Sequence, residues 1–438
     1  MNSVFLTQDS TFIIGQVAWV LGKIMEGIFN VIDFIGIPNI GLAIILFTIV
    51  VNLLMMPLTI KQQKFSKLSA KMNPEIQAIQ AKYKNKKDNE SAMAQNQEIQ
   101  AVYAKYGVSP TGSCLYLLIQ MPILFALYRV IYAMPAYVGK IGDTFRVLAD
   151  KIISVDNAHF LQNSGVESIT NTVRMYGHSM VKGDFSNGVI DVLNRLSSTD
   201  MATIAEHYGL SQLTYQGELI LSNETTRGLI DTYNNFLGLN IGDTPWHIIQ
   251  GALAAGAWLL LIGALAIPVL SAVTQWINTK LMPQADTSSK NGQESTMASS
   301  MKMMNTIMPL MSAWFCFTLP SGMGLYWVAG SVVRSVQQVI INKHIDKLDF
   351  DQIIKKNSAK NAKKLEKLKE NQEKLNAYAN MKTKSIQNKA NINTGMTEEE
   401  KEEAMKKSTE YYNSTAAKPG SMMAKANMVK QYNEKNNK

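Results

Sequence analysis

Residues 40–60 read IGLAIILFTIVVNLLMMPLTI, a run in which Asn52 is the one strongly polar side chain. The hydrocarbon core of a bilayer is about 30 Å thick, and a helix needs about 20 apolar residues to cross it. Because lipid offers the backbone no hydrogen bonds, a run of this length should be helical if it crosses the membrane. The stretch therefore predicts a transmembrane helix and, with it, an all-α membrane protein.

Four further apolar runs have similar length. Of the 438 residues, 46% are hydrophobic and 18% are charged, but the apolar residues are concentrated in these runs. The two cysteines are too few for a disulfide scaffold or a Cys-rich zinc module. The sequence predicts a polytopic protein with five transmembrane helices, assigned to residues 37–60, 111–137, 248–279, 303–320 and 321–343.

The distribution of lysines predicts the orientation of these helices. Residues 61–107 carry nine Lys against four acidic residues, and residues 343–438 carry 21 Lys against 13. Residues 139–245 carry seven basic and twelve acidic residues. Because cytoplasmic segments are enriched in Lys and Arg, the first two should lie inside and the third outside. The predicted extramembrane parts are a cytoplasmic hairpin at 61–110, an extracytoplasmic loop domain at 138–247, a cytoplasmic loop at 280–302 and a basic cytoplasmic tail at 344–438.

Helical periodicity predicts structure inside several of these parts. Helices at 66–83 and 91–106, with a turn at 85–88 between them, should form the antiparallel cytoplasmic hairpin. The outer loop domain should be helical, with helices at 189–196 and 226–236 among others. Residues 1–36 should contain an amphipathic helix in the outer interface. The alternative for that helix is a sixth span.

Polar residues inside the spans are the candidate functional residues, because such groups should face protein or water rather than lipid. Thr48, Asn52, Met55 and Thr59 share one helix face, as do Trp327, Ser331, Arg334 and Gln338. Arg334 is the strongest candidate. Its guanidinium remains charged, and none of the predicted spans holds an Asp or Glu to pair with it. A hydrated cavity would accommodate this cation.

The predicted groove residues are Asn52, Thr48, Gln120, Gln275, Trp327, Ser331, Arg334 and Gln338. Hydrogen bonding between helices is the alternative role for most of them. Met301 and Met304 belong to a methionine cluster whose flexible side chains suit the capture of varied apolar substrates, with core filling as the alternative. The sequence predicts no catalytic residue, no metal site and no cofactor, so we do not expect an enzyme.

Taken together, five strings resemble the YidC-type membrane protein insertases of the Oxa/Alb family. They are GLAIILFTIVVNLLMMPLT at 41–59, KMNPEIQAIQAKYK at 71–84, YGVSPTGSCLYLLIQMPILFALY at 106–128, VLSAVTQWINTKLMP at 269–283 and MPLMSAWFCFTLPSGMGLYWVAGSVVRSVQQVIINK at 308–343. They occur in the family's order. The long outer loop, which is usually shorter in the family, lies outside the resemblance.

The resemblance implies five core helices around a hydrophilic groove that is open to the cytoplasm and to lipid. It implies insertion of nascent transmembrane segments into the bacterial cytoplasmic membrane without ATP, alone or with the Sec translocon. The chain should act as a monomer in contact with membrane lipids. Its basic tail should bind the ribosome or anionic lipid, or else be a solvated tail without a dedicated partner.

One departure from the family concerns the groove. The family usually carries an arginine five residues before the proline of the PLT string, and here that position is Asn52. We expect Arg334 to supply the charge instead, since both residues lie about eight residues, or roughly 12 Å, from the cytoplasmic end of their helices. An intramembrane protease is disfavoured because no histidine or aspartate pair lies within a span. The remaining alternative is a channel or secondary transporter.

Overall fold

The computed structural model describes residues 8, 11–84, 88–109, 112–177, 180, 185–281 and 296–363, with a few isolated positions after 363. The chain divides into two compact units. One consists of Met1–Lys82 and Ile99–Ala362, and the other of Tyr83–Glu98 and Lys363–Lys438. Within the second unit, the Tyr83 hydroxyl donates a 2.9 Å hydrogen bond to the Glu98 carboxylate.

Helix α1 (Ile14–Phe34) buries one face and leaves apolar side chains on the other. The buried face packs against helices α4 (Gly112–Tyr132) and α5 (Met134–Tyr137). Its buried members are Gly15, Ala18, Leu21, Gly22, Met25, Phe29 and Ile32. Trp19, Val20 and Val31 are exposed. An exposed apolar face opposite a buried one is typical of a helix in contact with lipid.

Helix α2 runs without interruption from Ile40 to Tyr83, through the boundary that the sequence predicted near residue 60. Pro57 and Pro74 lie inside it. Each proline removes one backbone donor, so packing must hold the helix together. A small core provides that packing at the predicted boundary, where α2 meets later parts of the chain: Met56, Ile60, Leu68, Ile341, Ile345, Leu348, Phe350 and Ile353. The predicted separate helix at 66–83 is therefore the second half of α2.

Helix α3 (Asn89–Tyr106) begins two residues before its predicted start and ends in a Schellman motif. Gly107 has φ +67°, and its N–H donates to the Ala104 carbonyl at 3.2 Å. The Val108 N–H donates to the Tyr103 carbonyl at 3.0 Å. The helix packs on the second half of α2 through one apolar cluster: Met72, Ile76, Val102, Tyr106 and Val108. The predicted turn residues 85–87 lie outside the described residues.

The segment predicted to form the outer loop domain, residues 138–247, is mostly helical among its described residues. Its helices are α6 (Gly139–Asp156), α7 (His159–Gln162), α8 (Glu167–Tyr176), α9 (Phe185–Leu193), α10 (Ser198–Tyr208) and α11 (Leu229–Asn234). Two short antiparallel hairpins accompany them: β1 (Thr214–Tyr215) with β2 (Glu218–Leu219), and β3 (Asn235–Phe236) with β4 (Leu239–Asn240). The predicted helix at 226–236 is shorter because its last two residues are β3. The domain shares one continuous apolar core with α1, α2 and α4.

The predicted span at 248–279 is two helices. Helix α12 (Pro245–Ala255) ends at Gly256, whose φ of +67° no continuing helix adopts, and α13 (Trp258–Leu281) follows. Thr244 caps α12, and its side chain accepts a hydrogen bond from the His247 N–H. The chain continues as α14 (Thr296–Thr318), α15 (Ser321–Ile345) and α16 (Phe350–Lys360).

Two helices among the described residues are long and apolar enough to cross a membrane, namely α2 and α13. Shorter apolar stretches lie at Leu118–Tyr132 in α4 and Thr306–Thr318 in α14. The architecture is thus that of a mainly helical membrane protein.

Candidate functional site

Helices α2, α13 and α15 carry the polar residues that the sequence singled out, and small residues let them approach closely. A Cβ atom added at Gly330 of α15 would lie 3.6 Å from the Thr48 methyl group of α2. It would lie 3.0 Å from Nη1 of Arg334. The guanidinium therefore lies over Gly330, one turn before its own Cα, which is the direction in which helical side chains project.

Arg334 belongs to a chain of hydrogen bonds that joins α15 to α13. Its Nη2 donates to the Ser331 hydroxyl at 3.1 Å, and that hydroxyl donates to Oε1 of Gln275 at 3.2 Å. Ser331 and Gln275 are buried, while Arg334 is half-buried. Within the described part of the chain, no carboxylate forms an ion pair with this guanidinium. The hydrogen-bond partner of the cation among the described residues is a neutral hydroxyl.

Asn52 faces the same region from α2. Its side-chain Nδ2 donates to the Thr48 carbonyl of its own helix at 2.7 Å. Its backbone carbonyl accepts a 2.9 Å hydrogen bond from Nε2 of Gln337 on α15. Gln337 was not among the predicted residues, because it lies one position away from the stripe that contains Gln338. The link between α2 and α15 at this level is thus made by the backbone of Asn52.

A second polar group lies nearer the end of α15. Nε2 of Gln63 donates to Oε1 of Gln338, and both side chains are buried. Nε2 of Gln338 donates to Asn342 at 3.2 Å, and Asn342 donates to the Leu281 carbonyl at the end of α13, also at 3.2 Å. Oε1 of Gln63 is buried without a partner among the described residues. A buried oxygen of this kind calls for water or a bound polar group.

The structure brings together Thr48, Asn52, Gln275, Ser331, Arg334 and Gln338 around the α2, α13 and α15 contacts. Gln120 of α4 is exposed and does not join them. Trp327 stacks on Phe315 of α14, with ring centroids 6.3 Å apart. The side chains of Met301 and Met304 lie outside the described residues. Gln63 was missed, although it continues the stripe of Thr48, Asn52, Met55 and Thr59 by one more helical step.

Helix α16 contacts the hairpin formed by the second half of α2 and by α3. Nδ2 of Asn357 donates to the Tyr106 carbonyl at 2.9 Å, and Nδ2 of Asn361 donates to the Ala104 carbonyl at 3.0 Å. These asparagines are one turn apart, so a single face of α16 caps the end of α3. Ile354 of α16 packs against the apolar cluster of the hairpin.

An ionic contact strengthens the hairpin on the α2 side. Glu75 accepts hydrogen bonds from Lys105 at 2.8 Å and from the Tyr106 hydroxyl at 2.7 Å. Burial acts to raise the pKa of Glu75, but these hydrogen bonds outweigh it and lower the pKa. Burial and the Glu75 carboxylate raise the pKa of Tyr106 to about 12. Across the described residues there is no group of three His, Cys, Asp or Glu side chains that could hold a metal ion.

Apolar helices with polar side chains gathered at their contacts define a helical membrane protein with a polar interior. The sequence matches the model of the 60Kd inner membrane protein family over residues 31–206 and 224–348. The chain therefore belongs to this family. It is the YidC/Oxa/Alb family, which the five sequence strings resemble. This confirms the predicted family.

Curated relatives agree with this assignment. The chain is 36% identical over 126 residues to the membrane protein insertase YidC of Oceanobacillus iheyensis, which covers 29% of this chain and 46% of the relative. It is 44% identical over 93 residues to the membrane protein insertase MisCA of Bacillus subtilis, covering 21% and 35%. It is 38% identical over 97 residues to YidC of Fusobacterium nucleatum, covering 22% and 44%. The matches span less than half the length of each relative.

Proposed function

We propose that this chain inserts nascent transmembrane segments into the bacterial cytoplasmic membrane and helps them to fold. The observation that carries the proposal is Arg334, a half-buried cation at the contact of α2, α13 and α15, hydrogen-bonded to Ser331 without a carboxylate partner among the described residues. A charge at membrane depth is retained at considerable cost and indicates function. The relatives' name, membrane protein insertase, supports the same role.

In the proposed architecture, five spans surround a hydrophilic groove that opens to the cytoplasm and to lipid. The spans are the outer half of α2 together with α4, α13, α14 and α15. The hairpin of α2 and α3 and the tail after residue 343 lie in the cytoplasm, α1 lies in the outer interface and the α6–α11 domain lies outside. The lysine distribution supports this orientation. Proline-containing apolar helices such as α4 and α14 are common in membranes, where neighbouring helices satisfy the freed backbone groups.

The mechanism is physical rather than covalent, and it requires neither ATP nor a catalytic residue. A hydrated groove lowers the cost of carrying a short polar terminus partway across the bilayer. Arg334 attracts acidic groups on that terminus, while Gln275, Gln63 and Asn52 offer hydrogen-bonding groups along the way. The apolar segment then leaves sideways into lipid, driven by about 0.8 kcal/mol for each methylene group buried.

The proposed partners follow from this role. Nascent membrane proteins are the clients, and the chain acts as a monomer, alone or beside the Sec translocon. Met301 and Met304 contribute an adaptable apolar surface for entering segments. The tail, with 21 Lys from residue 343 onward, suits ribosomal RNA or anionic lipid.

Insertion into proteoliposomes tests the role of Arg334. The substrate is a single-span protein with an acidic N-terminus, synthesised in the presence of the vesicles and scored by protease protection. Arg334→Ala should reduce its insertion, and Arg334→Lys should retain most of it. A version with a neutral N-terminus serves as the internal control and should insert equally well with all three proteins.

A rescue variant sharpens this experiment. Adding Asn52→Arg to Arg334→Ala restores a cation at the position usual in the family and should recover insertion of the acidic substrate. Equal insertion by wild type and Arg334→Ala would refute the proposed role of the arginine. Sustained ion flux through the purified protein in liposomes, without any insertion, would instead favour a channel or transporter.

A further inference from the structure

The outer domain contains two β-hairpins with nearly the same backbone. In the first, Tyr215 pairs with Glu218 across a two-residue turn, and in the second Phe236 pairs with Leu239. The first turn residues, Gln216 and Leu237, have φ of +55° and +52°. The glycine that follows each of them has φ of +87°. The hairpins therefore differ in their side chains rather than in their geometry.

The first turn position holds a polar residue, Gln216, in one hairpin and an apolar residue, Leu237, in the other. Both residues occupy the left-handed region, where Asn, Asp and Gly are the favoured residues and a bulky apolar side chain is unusual. Leu237 is nevertheless 87% exposed, so the fold gains no buried contact from it. The polar Gln216 at the matching position is what a water-exposed turn ordinarily carries. Within the described part of the chain, Leu237 therefore has no apolar neighbour that covers it.

The second hairpin lies at the outer ends of two apolar helices. Nδ2 of Asn39, just before α2, donates to the Asn235 carbonyl at 2.7 Å. The Phe236 ring lies so close to Gly41 that an added Cβ would meet it at 2.6 Å. On the other side, Leu239 lies 3.3 Å from the Cβ position of Gly263 in α13. Among the described residues, these two helices are long and apolar enough to cross a membrane.

The chain next to this hairpin is also apolar and uncovered. Phe34, the last residue of α1, is 93% exposed, and Ile35 and Ile37 in the connection to α2 are 66% and 54% exposed. This connection ends at Asn39, whose side chain donates the hydrogen bond to the Asn235 carbonyl of the hairpin. Exposed apolar side chains in a row, continuous with a membrane-spanning helix, are typical of a membrane interface.

We propose that the β3–β4 hairpin inserts its tip, Leu237, into the outer leaflet of the membrane. The partner is the lipid surface itself, at the level where α1 meets α2. The outer domain then contacts the bilayer at a point of its own, in addition to its covalent connections to α4 and α12. The β1–β2 hairpin, with Gln216 at its tip, remains in water.

Fluorescent labelling in nanodiscs tests this proposal on the full chain. Cys114 and Cys316 are first replaced by Ser, and single cysteines are introduced as Leu237→Cys, Gln216→Cys and Phe34→Cys. Each is labelled with the environment-sensitive fluorophore NBD. The label at 237 should emit at shorter wavelength than the label at 216, should be quenched by doxyl-labelled lipid, and should resist quenching by iodide.

The labels at positions 216 and 34 are the controls for the label at position 237. Position 216 has the same backbone geometry and reports an aqueous turn, and position 34 reports the lipid-exposed chain beside α2. The proposal is overturned if iodide quenches the label at 237 as strongly as the label at 216 while position 34 remains lipid-quenched. It is equally overturned if neither quencher reaches position 237, because the tip would then be covered by protein.

Discussion

The two asparagines at the C-terminal end of α16 that cap α3 allow a quantitative test of what stabilises the hairpin of α2 and α3. Asn357 and Asn361 donate to the Tyr106 and Ala104 carbonyls at 2.9 and 3.0 Å. The double variant Asn357→Ala with Asn361→Ala removes both hydrogen bonds and leaves the Schellman motif at Gly107 intact. The α3 end should therefore remain helical but open more often.

The size of the effect follows from these contacts. A net hydrogen bond contributes about 1 kcal/mol, so losing two should destabilise the closed hairpin by about 2 kcal/mol. Since 1.4 kcal/mol corresponds to a factor of ten, amide exchange that requires hairpin opening should speed up about 30-fold. Hydrogen–deuterium exchange of peptides covering residues 99–108, measured in detergent or nanodiscs, provides the assay.

A matched control separates the caps from the rest of α16. Lys355 and Lys356 are exposed on the same helix, so replacing both by Ala should leave exchange of residues 99–108 unchanged. If the asparagine variant exchanges at the wild-type rate, α16 does not stabilise the hairpin through these caps. If both variants accelerate exchange equally, general loosening of α16 explains the result instead.

Two further predictions concern the contact at Gly41 and the domain formed by α6–α11. Gly41→Ala should lower the thermal unfolding midpoint, because overpacking against the Phe236 ring costs about 1–3 kcal/mol, whereas Gly27→Ala, with nothing within 4 Å of the added Cβ, should leave it unchanged or raise it. An equal loss in both variants would contradict the close contact. Burial acts to raise the pKa of Asp156, but hydrogen bonds from the Phe160 N–H and the Tyr208 hydroxyl outweigh it and lower the pKa. Because the folded-state pKa is depressed, the ionised carboxylate stabilises the domain fully at pH values above its unfolded-state pKa of about 3.9. This stabilisation is lost as the pH falls from there through the folded-state pKa. Asp156→Asn should therefore differ most from wild type in urea unfolding at neutral pH, and a difference independent of pH would refute this.

The sequence predicted the helical membrane class because apolar length is a property of long segments, and it predicted the family because five strings resemble it in the family's order. It located α3 and α15 to within two residues, whereas α14 begins at Thr296, seven residues before the predicted span. The continuity of α2 escaped prediction, because the change from apolar to lysine-rich sequence after residue 60 marks a change of surroundings and not the end of a helix. The break between α12 and α13 at Gly256 was not predicted either, because the sequence is apolar on both sides of it and shows no change there.

Within the candidate site, side-chain periodicity predicted which residues share a face but could not predict which atoms bond. Asn52 and Arg334 were expected to act through their side chains. In the structure, Asn52 connects to α15 through its backbone carbonyl, and the partner is Gln337. Gln63 was assigned to the cytoplasmic hairpin, so its bond to Gln338 could be predicted only by extending α2 beyond residue 60. Tertiary contacts of this kind depend on how the helices are rotated against each other, and the spacing of residues along the sequence carries no information about that rotation.

The uninterrupted course of α2 has a mechanical consequence. A helix of 44 residues is about 66 Å long, which exceeds the hydrocarbon thickness about twofold. In its first turn, Gly41 contacts the Phe236 ring. Its C-terminal half contains Met72, whose apolar cluster also includes residues of α3 and α16. A rotation of the whole helix by about 5° about its first turn would move its last turn by about 6 Å. A displacement at the contact between Phe236 and Gly41 would thus be transmitted to the cluster around Met72.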